Sequence, residues 1–123
     1  MGIKFEIDLD AGVVFGVATG DVGTEEILDY VRRLLEDPKY SPELLSLIDA
    51  RKTNPHFSEE EMRSLAQVRV KTPATKKLAI VAAEAFGHAR MFHGWTGNDA
   101  NIMIFKEMNS AREWLGLPSE DDS

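Results

Sequence analysis

The chain of 123 residues contains no cysteine. Disulfides, thiolate nucleophiles and cysteine-ligated zinc are therefore excluded, and the expected setting is a reducing, cytoplasmic one. Long apolar runs are also missing, so no segment reads as a membrane-spanning helix. Basic charge is scarce: 14 Lys and Arg stand against 21 Asp and Glu, a formal net charge of −7. That balance argues against nucleic acid as a partner, because a phosphate backbone requires a basic footprint. Histidine occurs three times, at His56, His88 and His93. None of these spacings is that of a metal-binding helix pair, so no metal and no cofactor are expected.

What is present reads as one globular domain over residues 1–123. Its composition is 43% hydrophobic and 28% charged, enough to bury a core without staples. The N-terminal MGIKFEIDLD lacks the pattern of a signal peptide, and Glu6 stands where myristoylation favours Ser or Thr. Residues 117–123 form an acidic tail, expected to be flexible.

Phe5, Ile7 and Leu9 alternate with Glu6, Asp8 and Asp10, the period of a half-buried strand. Asp10-Ala11-Gly12 is a turn and Val13–Thr19 a second strand, so residues 1–20 form a hairpin. Thr24 is placed to cap a helix to about Asp37, with Ile27, Val31, Leu34 and Leu35 as its apolar stripe. Leu44–Ala50 is a short buried strand, and Arg51–Pro55 leaves it as a polar loop. Ser58 with Glu61 makes a capping box and starts the next helix. Leu78–Ala83 is a strand, Ala85 to about His93 a helix, and Ile102–Phe105 the last strand. Ser110 with Glu113 offers a second capping box, with Ala111, Trp114 and Leu115 facing the core and Gly116 closing the helix. Trp114→Ala is expected to cost about 3–5 kcal/mol, the range for truncating a buried large aromatic.

The order is β-β-α-β-α-β-α-β-α. The fold class is therefore α/β: a mostly parallel five-stranded sheet with crossover helices and one antiparallel strand from the hairpin.

Candidate functional residues fall into three groups. Charged residues at strand ends come first: Asp49, Arg51, Glu84 and Lys106, with Arg90 within reach of Asp49. They read either as a ligand crevice or as a structural ion-pair network. The second group is the basic run Arg63, Arg69, Lys71, Lys76 and Lys77. It reads as a surface patch for an anionic membrane or acidic partner, or as solvated charge after a helix C-terminus. The third is Phe86, Met91, Phe92 and Trp95, on and just after the Ala85–His93 helix, which either cover an apolar ligand or pack onto the sheet. There is no G-x-S-x-G elbow and no nucleophile paired with a base in sequence, so no enzyme activity is expected.

Three segments also carry a family resemblance: LIDAR (Leu47–Arg51), KLAIVAAEAFGHARMF (Lys77–Phe92) and IFKEMNSAREWLG (Ile104–Gly116). Together with the element order they resemble the anti-sigma-factor antagonist (STAS) fold. More closely, the chain resembles uncharacterised bacterial SpoIIAA-like proteins, whose fold is shared with CRAL-TRIO lipid-binding domains. The resemblance implies a non-catalytic regulatory or protein-interaction module. Its partner would be a second copy in a homodimer or a regulatory protein. The lipid-binding cousins imply the alternative, an apolar-ligand or membrane-surface binder with the third helix as gate. STAS relatives switch partners through a phosphoserine in an Asp-Ser-Ser/Thr-Gly turn. Here the matching region is Pro55-His56-Phe57-Ser58-Glu59-Glu60-Glu61, without that turn. The glutamates after Ser58 would repel a phosphate.

Overall fold

In a computed structural model the protein is described over residues 2–55, 60–61, 63–64, 77–82 and 101–118. Five strands form one sheet: β1 (Gly2–Asp8), β2 (Val13–Val22), β3 (Leu45–Pro55), β4 (Leu78–Val81) and β5 (Ile102–Phe105). Two helices are described along their length, α1 (Thr24–Glu36) and α2 (Met108–Leu115), and Glu60, Glu61, Arg63 and Ser64 are also helical. Strand order in the sheet follows chain order. β1 and β2 are antiparallel, and β2 through β5 are parallel neighbours. This is the mixed α/β sheet expected from the hairpin followed by alternating elements.

Both faces of the sheet are packed, each against a different helix. On one face α1 lays Tyr30 and Leu34 onto Ile3, Val14, Ala18 and Val22, with Phe5, Ile7 and Ile48 alongside. On the other, α2 lays Met108, Ala111 and Leu115 onto Val13, Leu47, Ala79 and Val81. Adjacent residues Val13 and Val14 serve opposite faces, as the strand period requires. The stripe of α1 is rotated from the sequence expectation. Tyr30 takes the core position, whereas Leu35 is 48% exposed. Leu9 also leaves the core, because the turn begins there and breaks the alternation; it is 59% exposed.

β3 runs through Pro55, so Arg51–Pro55 is strand and not the polar loop read from the sequence. The reason is its neighbour. β2 extends past Thr19, and Thr19, Gly20, Asp21 and Val22 pair with Lys52, Thr53, Asn54 and Pro55. A long partner supplies the ladder that the polar residues themselves do not announce. β4 and β5 have four residues each, so the far ends of β2 and β3 project beyond them. A β-bulge interrupts this pair between Val17–Thr19 and Asp49–Lys52, leaving Ala50 and Arg51 opposite Ala18.

The helix caps also differ from expectation. Gly23, not Thr24, is the N-cap of α1, and its amide donates to Glu26 Oε1 at 2.9 Å. The Thr24 hydroxyl instead donates to Glu61 Oε2 at 2.6 Å, joining the start of α1 to a residue far along the chain. α2 starts at Met108, so Ser110 lies inside it and caps nothing. Its other end is as read: Gly116 has φ 80°. The amides of Gly116 and Leu117 donate to the carbonyls of Glu113 (3.0 Å) and Arg112 (2.8 Å), closing a Schellman motif.

Trp114 is half-buried, tilted against Phe105 at 5.9 Å between ring centroids, with the Lys77 ammonium 4.9 Å from its own centroid. Trp114→Ala is therefore expected to cost about 1.5–3 kcal/mol in urea unfolding, below the full-burial range. A cost of 4 kcal/mol or more, on the order of a fully enclosed aromatic, would contradict the exposed side of this ring.

Candidate functional site

The sheet register places a row of side chains across the α2-bearing face: Lys4 on β1, Val17 on β2, Asp49 on β3, Val81 on β4 and Phe105 on β5. Alternation along each strand puts them on one side. Below this row α2 seals the sheet. Phe15, next on β2, packs with the α2 core, and the Arg112 guanidinium lies 5.4 Å from its ring centroid. α2 has eight residues and does not reach the hairpin end of the row. Lys4 is exposed and Val17 is 48% exposed. Val81 at the β4 position is fully buried.

Asp49 closes the open part of the row. Arg51 Nε donates to Asp49 Oδ1 at 2.9 Å, and Nη2 donates to Oδ2 at 2.8 Å. The Arg51 amide adds a bond to Oδ1 at 3.1 Å. Two residues apart on one strand and beside the bulge, Asp49 and Arg51 form a two-pronged pair. The Arg51 guanidinium holds the Asp49 carboxyl below the ordinary carboxylate range, against a smaller opposing push from burial.

Among the residues expected to carry function, the structure brings together Asp49 and Arg51 and adds Val17 and Lys4, which the sequence reading missed. The alternation of Val13, Phe15 and Val17 was visible; the reach of α2 was not. Arg63 and Lys77, from the basic run, are held far apart. Arg63 lies two residues from Glu61, which bonds the start of α1 just beyond β2, whereas Lys77 precedes β4 at the other end of the sheet. The ten residues of β2, roughly 30 Å of strand, separate those ends. Lys106 follows β5 and is exposed. Glu84, Phe86, Arg90, Met91, Phe92, Trp95, Arg69, Lys71 and Lys76 lie outside the described residues, as do His56, His88, His93 and Ser58.

Ligand crevices in open α/β sheets form where strand order reverses. Among the described strands the order runs β1 to β5 without reversal. Among the described residues, no group of three or more His, Asp or Glu is arranged to hold a metal ion. Nor is any described helix long and apolar enough to cross a membrane.

Among solved structures, the chain is similar to an uncharacterised protein of the DUF3478 family from Shewanella loihica PV-4, which has a SpoIIAA-like fold. The likeness has a TM-score of 0.60 and covers 93% of this chain and 94% of that one. The fold is SpoIIAA-like. Sequence identity is 19%, so the likeness carries architecture and not activity. No family model matches the chain, and no curated protein does. The SpoIIAA-like sheet is thus the frame, and the open row Lys4–Val17–Asp49, with Arg51 beside it, is what this chain displays on it.

Proposed function

We propose that the protein is a non-catalytic interaction module that binds a partner protein on the open face around Val17. One observation carries this reading: a half-exposed valine in the interior of a sheet face, bordered by Lys4 on one strand and the Asp49–Arg51 pair on the next. An apolar centre with a charged rim is the anatomy of a protein interface. The state of Asp49 supports a binding role over a chemical one. A carboxylate engaged by Arg51 and held below its ordinary range is a poor general base at neutral pH.

A photo-crosslinking side chain placed at position 17 and activated in cells tests the proposal. The expected result is a discrete protein adduct that does not form from position 113, where Glu113 is exposed on α2. Binding of that purified partner should weaken about tenfold or more in Val17→Asp, since a charge then enters the apolar centre. The same adducts from both positions would sink the reading. The alternative, a membrane-surface binder, predicts sedimentation with phosphatidylserine vesicles that fades as salt rises.

A further inference from the structure

β1 is the terminal strand of the sheet. The Leu45 amide donates to the Gly12 carbonyl at 2.9 Å. By alternation, even-numbered residues of β2 aim their backbone groups at β3 and odd-numbered ones at β1. The β1 partners of those odd residues are Gly2, Lys4, Glu6 and Asp8. The outward-facing amides and carbonyls of β1 therefore belong to Ile3, Phe5 and Ile7. One of them is taken. Arg33 Nη2, from α1, donates to the Ile3 carbonyl at 2.6 Å. The same guanidinium lies 5.8 Å from the Phe5 ring centroid, and its Nε donates to Asp29 Oδ2 at 2.8 Å. A side chain strapped across the acceptor of an edge strand is a device that blocks strand addition.

We propose that the outer edge of β1 is a pairing surface for the β1 of a second copy, and that Arg33 is the latch that holds it shut. The residues of β1 select the partner. In an antiparallel pair about a two-fold axis, outward residues must face outward residues, so i and j share parity. An axis at Lys4 sets lysine against lysine, and an axis at Glu6 sets glutamate against glutamate. An axis at Phe5 places Lys4 opposite Glu6 of the partner subunit, twice by symmetry, and Ile3 opposite the partner's Ile7. That register uses all of Gly2–Asp8 and puts no like charges face to face. It also needs the Ile3 carbonyl to accept the amide of the partner's Ile7, the acceptor that Arg33 occupies. Arg33 and Asp29 are both substantially exposed, and exposed ion pairs are weak, so the latch is one that opens.

Lys4 borders both this edge and the face around Val17, but self-association and capture of a partner at position 17 are read separately, so the two proposals fail independently. Sedimentation of the full chain at micromolar concentration tests the latch. Wild type should run as monomer, and Arg33→Ala should associate about tenfold more tightly or better, to dimer. Asp29→Asn, which frees the strap from its anchor, should shift the equilibrium the same way and carries the test if Arg33→Ala does not fold. Adding Lys4→Glu to either variant should reverse the gain, because acid then meets acid at both symmetric positions. Adding Glu6→Lys as well should restore it. Variants as monomeric as wild type, wild type as dimeric as the variants, or indifference to Lys4→Glu would each overturn the proposal.

Discussion

Leu47→Ala should lower the free energy of unfolding by about 3–4 kcal/mol, read as a shift of the urea midpoint at unchanged slope. Leu47 is 2% exposed at the centre of the sheet, between Phe15 on β2 and Ala79 on β4. It belongs to the cluster that Met108, Ala111 and Leu115 of α2 cover. Two features keep the cost above the low end of the usual range for Leu→Ala. Ala79 and Ala111 are already small and have no side chain to swing into the void. The strands on either side are held by hydrogen bonds and collapse little. Val17→Ala, on the same face but beyond α2, should cost less than about 1 kcal/mol. A Leu47→Ala cost that small would show that α2 does not lie on β3.

The second large effect is a pH dependence. Tyr30 is buried between α1 and the sheet, with its ring edge-on to Phe5 at 5.7 Å between centroids. Its hydroxyl points toward Gly16, where a Cβ would stand 3.5 Å from it. Burial pushes the Tyr30 hydroxyl up to about 12, and the nearby Ser46 hydroxyl pulls weakly the other way. Among the described residues that oxygen has no partner in hydrogen-bonding geometry, and Ser46 acts on it only as a hydroxyl close by. Tyrosine is neutral when protonated, and its folded pKa lies above the unfolded value near 10. The associated stability is thus complete below pH 10 and lost as pH rises from about 10 to 12. Two pH units correspond to about 2.7 kcal/mol. Wild type should destabilise by that amount relative to Tyr30→Phe across this window, a difference that cancels the lysines and Tyr40 common to both. At pH 7 Tyr30→Phe should be neutral or up to about 1 kcal/mol more stable, since the removed hydroxyl is buried without a partner. Parallel pH profiles for the two proteins would refute the burial of this hydroxyl.

Local pattern carried much of the fold. Alternation in β1 and β2, the short apolar runs of β4 and β5, and Gly116 after α2 were legible because each is governed by its own residues. Misreadings arose where a neighbour decided. Arg51–Asn54 look like loop, yet β2 provides a ladder and they pair. Ser110 looks like a cap, yet Met108 finds a place in the core and the helix starts earlier. Leu35 fits the stripe of α1, but Tyr30 can reach Phe5 and rotates the helix toward it. The site divides the same way. The opposite charges of Asp49 and Arg51 were visible, but they were read at a strand end, whereas pairing with the long β2 places them mid-strand in β3. Val17 looked like any core valine, because its exposure depends on how far a helix from the other end of the chain extends. Arg33 looked like an ordinary cation in the last turns of α1.

The match between chain order and sheet order has a consequence for synthesis. Each strand docks beside the one made just before it, so the sheet grows from β1 outward with no strand inserted between earlier ones. Its contacts are local for a parallel sheet, a property that favours fast folding. The two faces mature at different times. α1 emerges directly after the hairpin and can shield its side at once. The opposite side, with Val13, Leu47, Ala79 and Val81, waits for Met108–Leu115. A ribosome-bound intermediate lacking that segment would present a sticky apolar plane. It is there that a holding chaperone would bind, or nascent chains would aggregate.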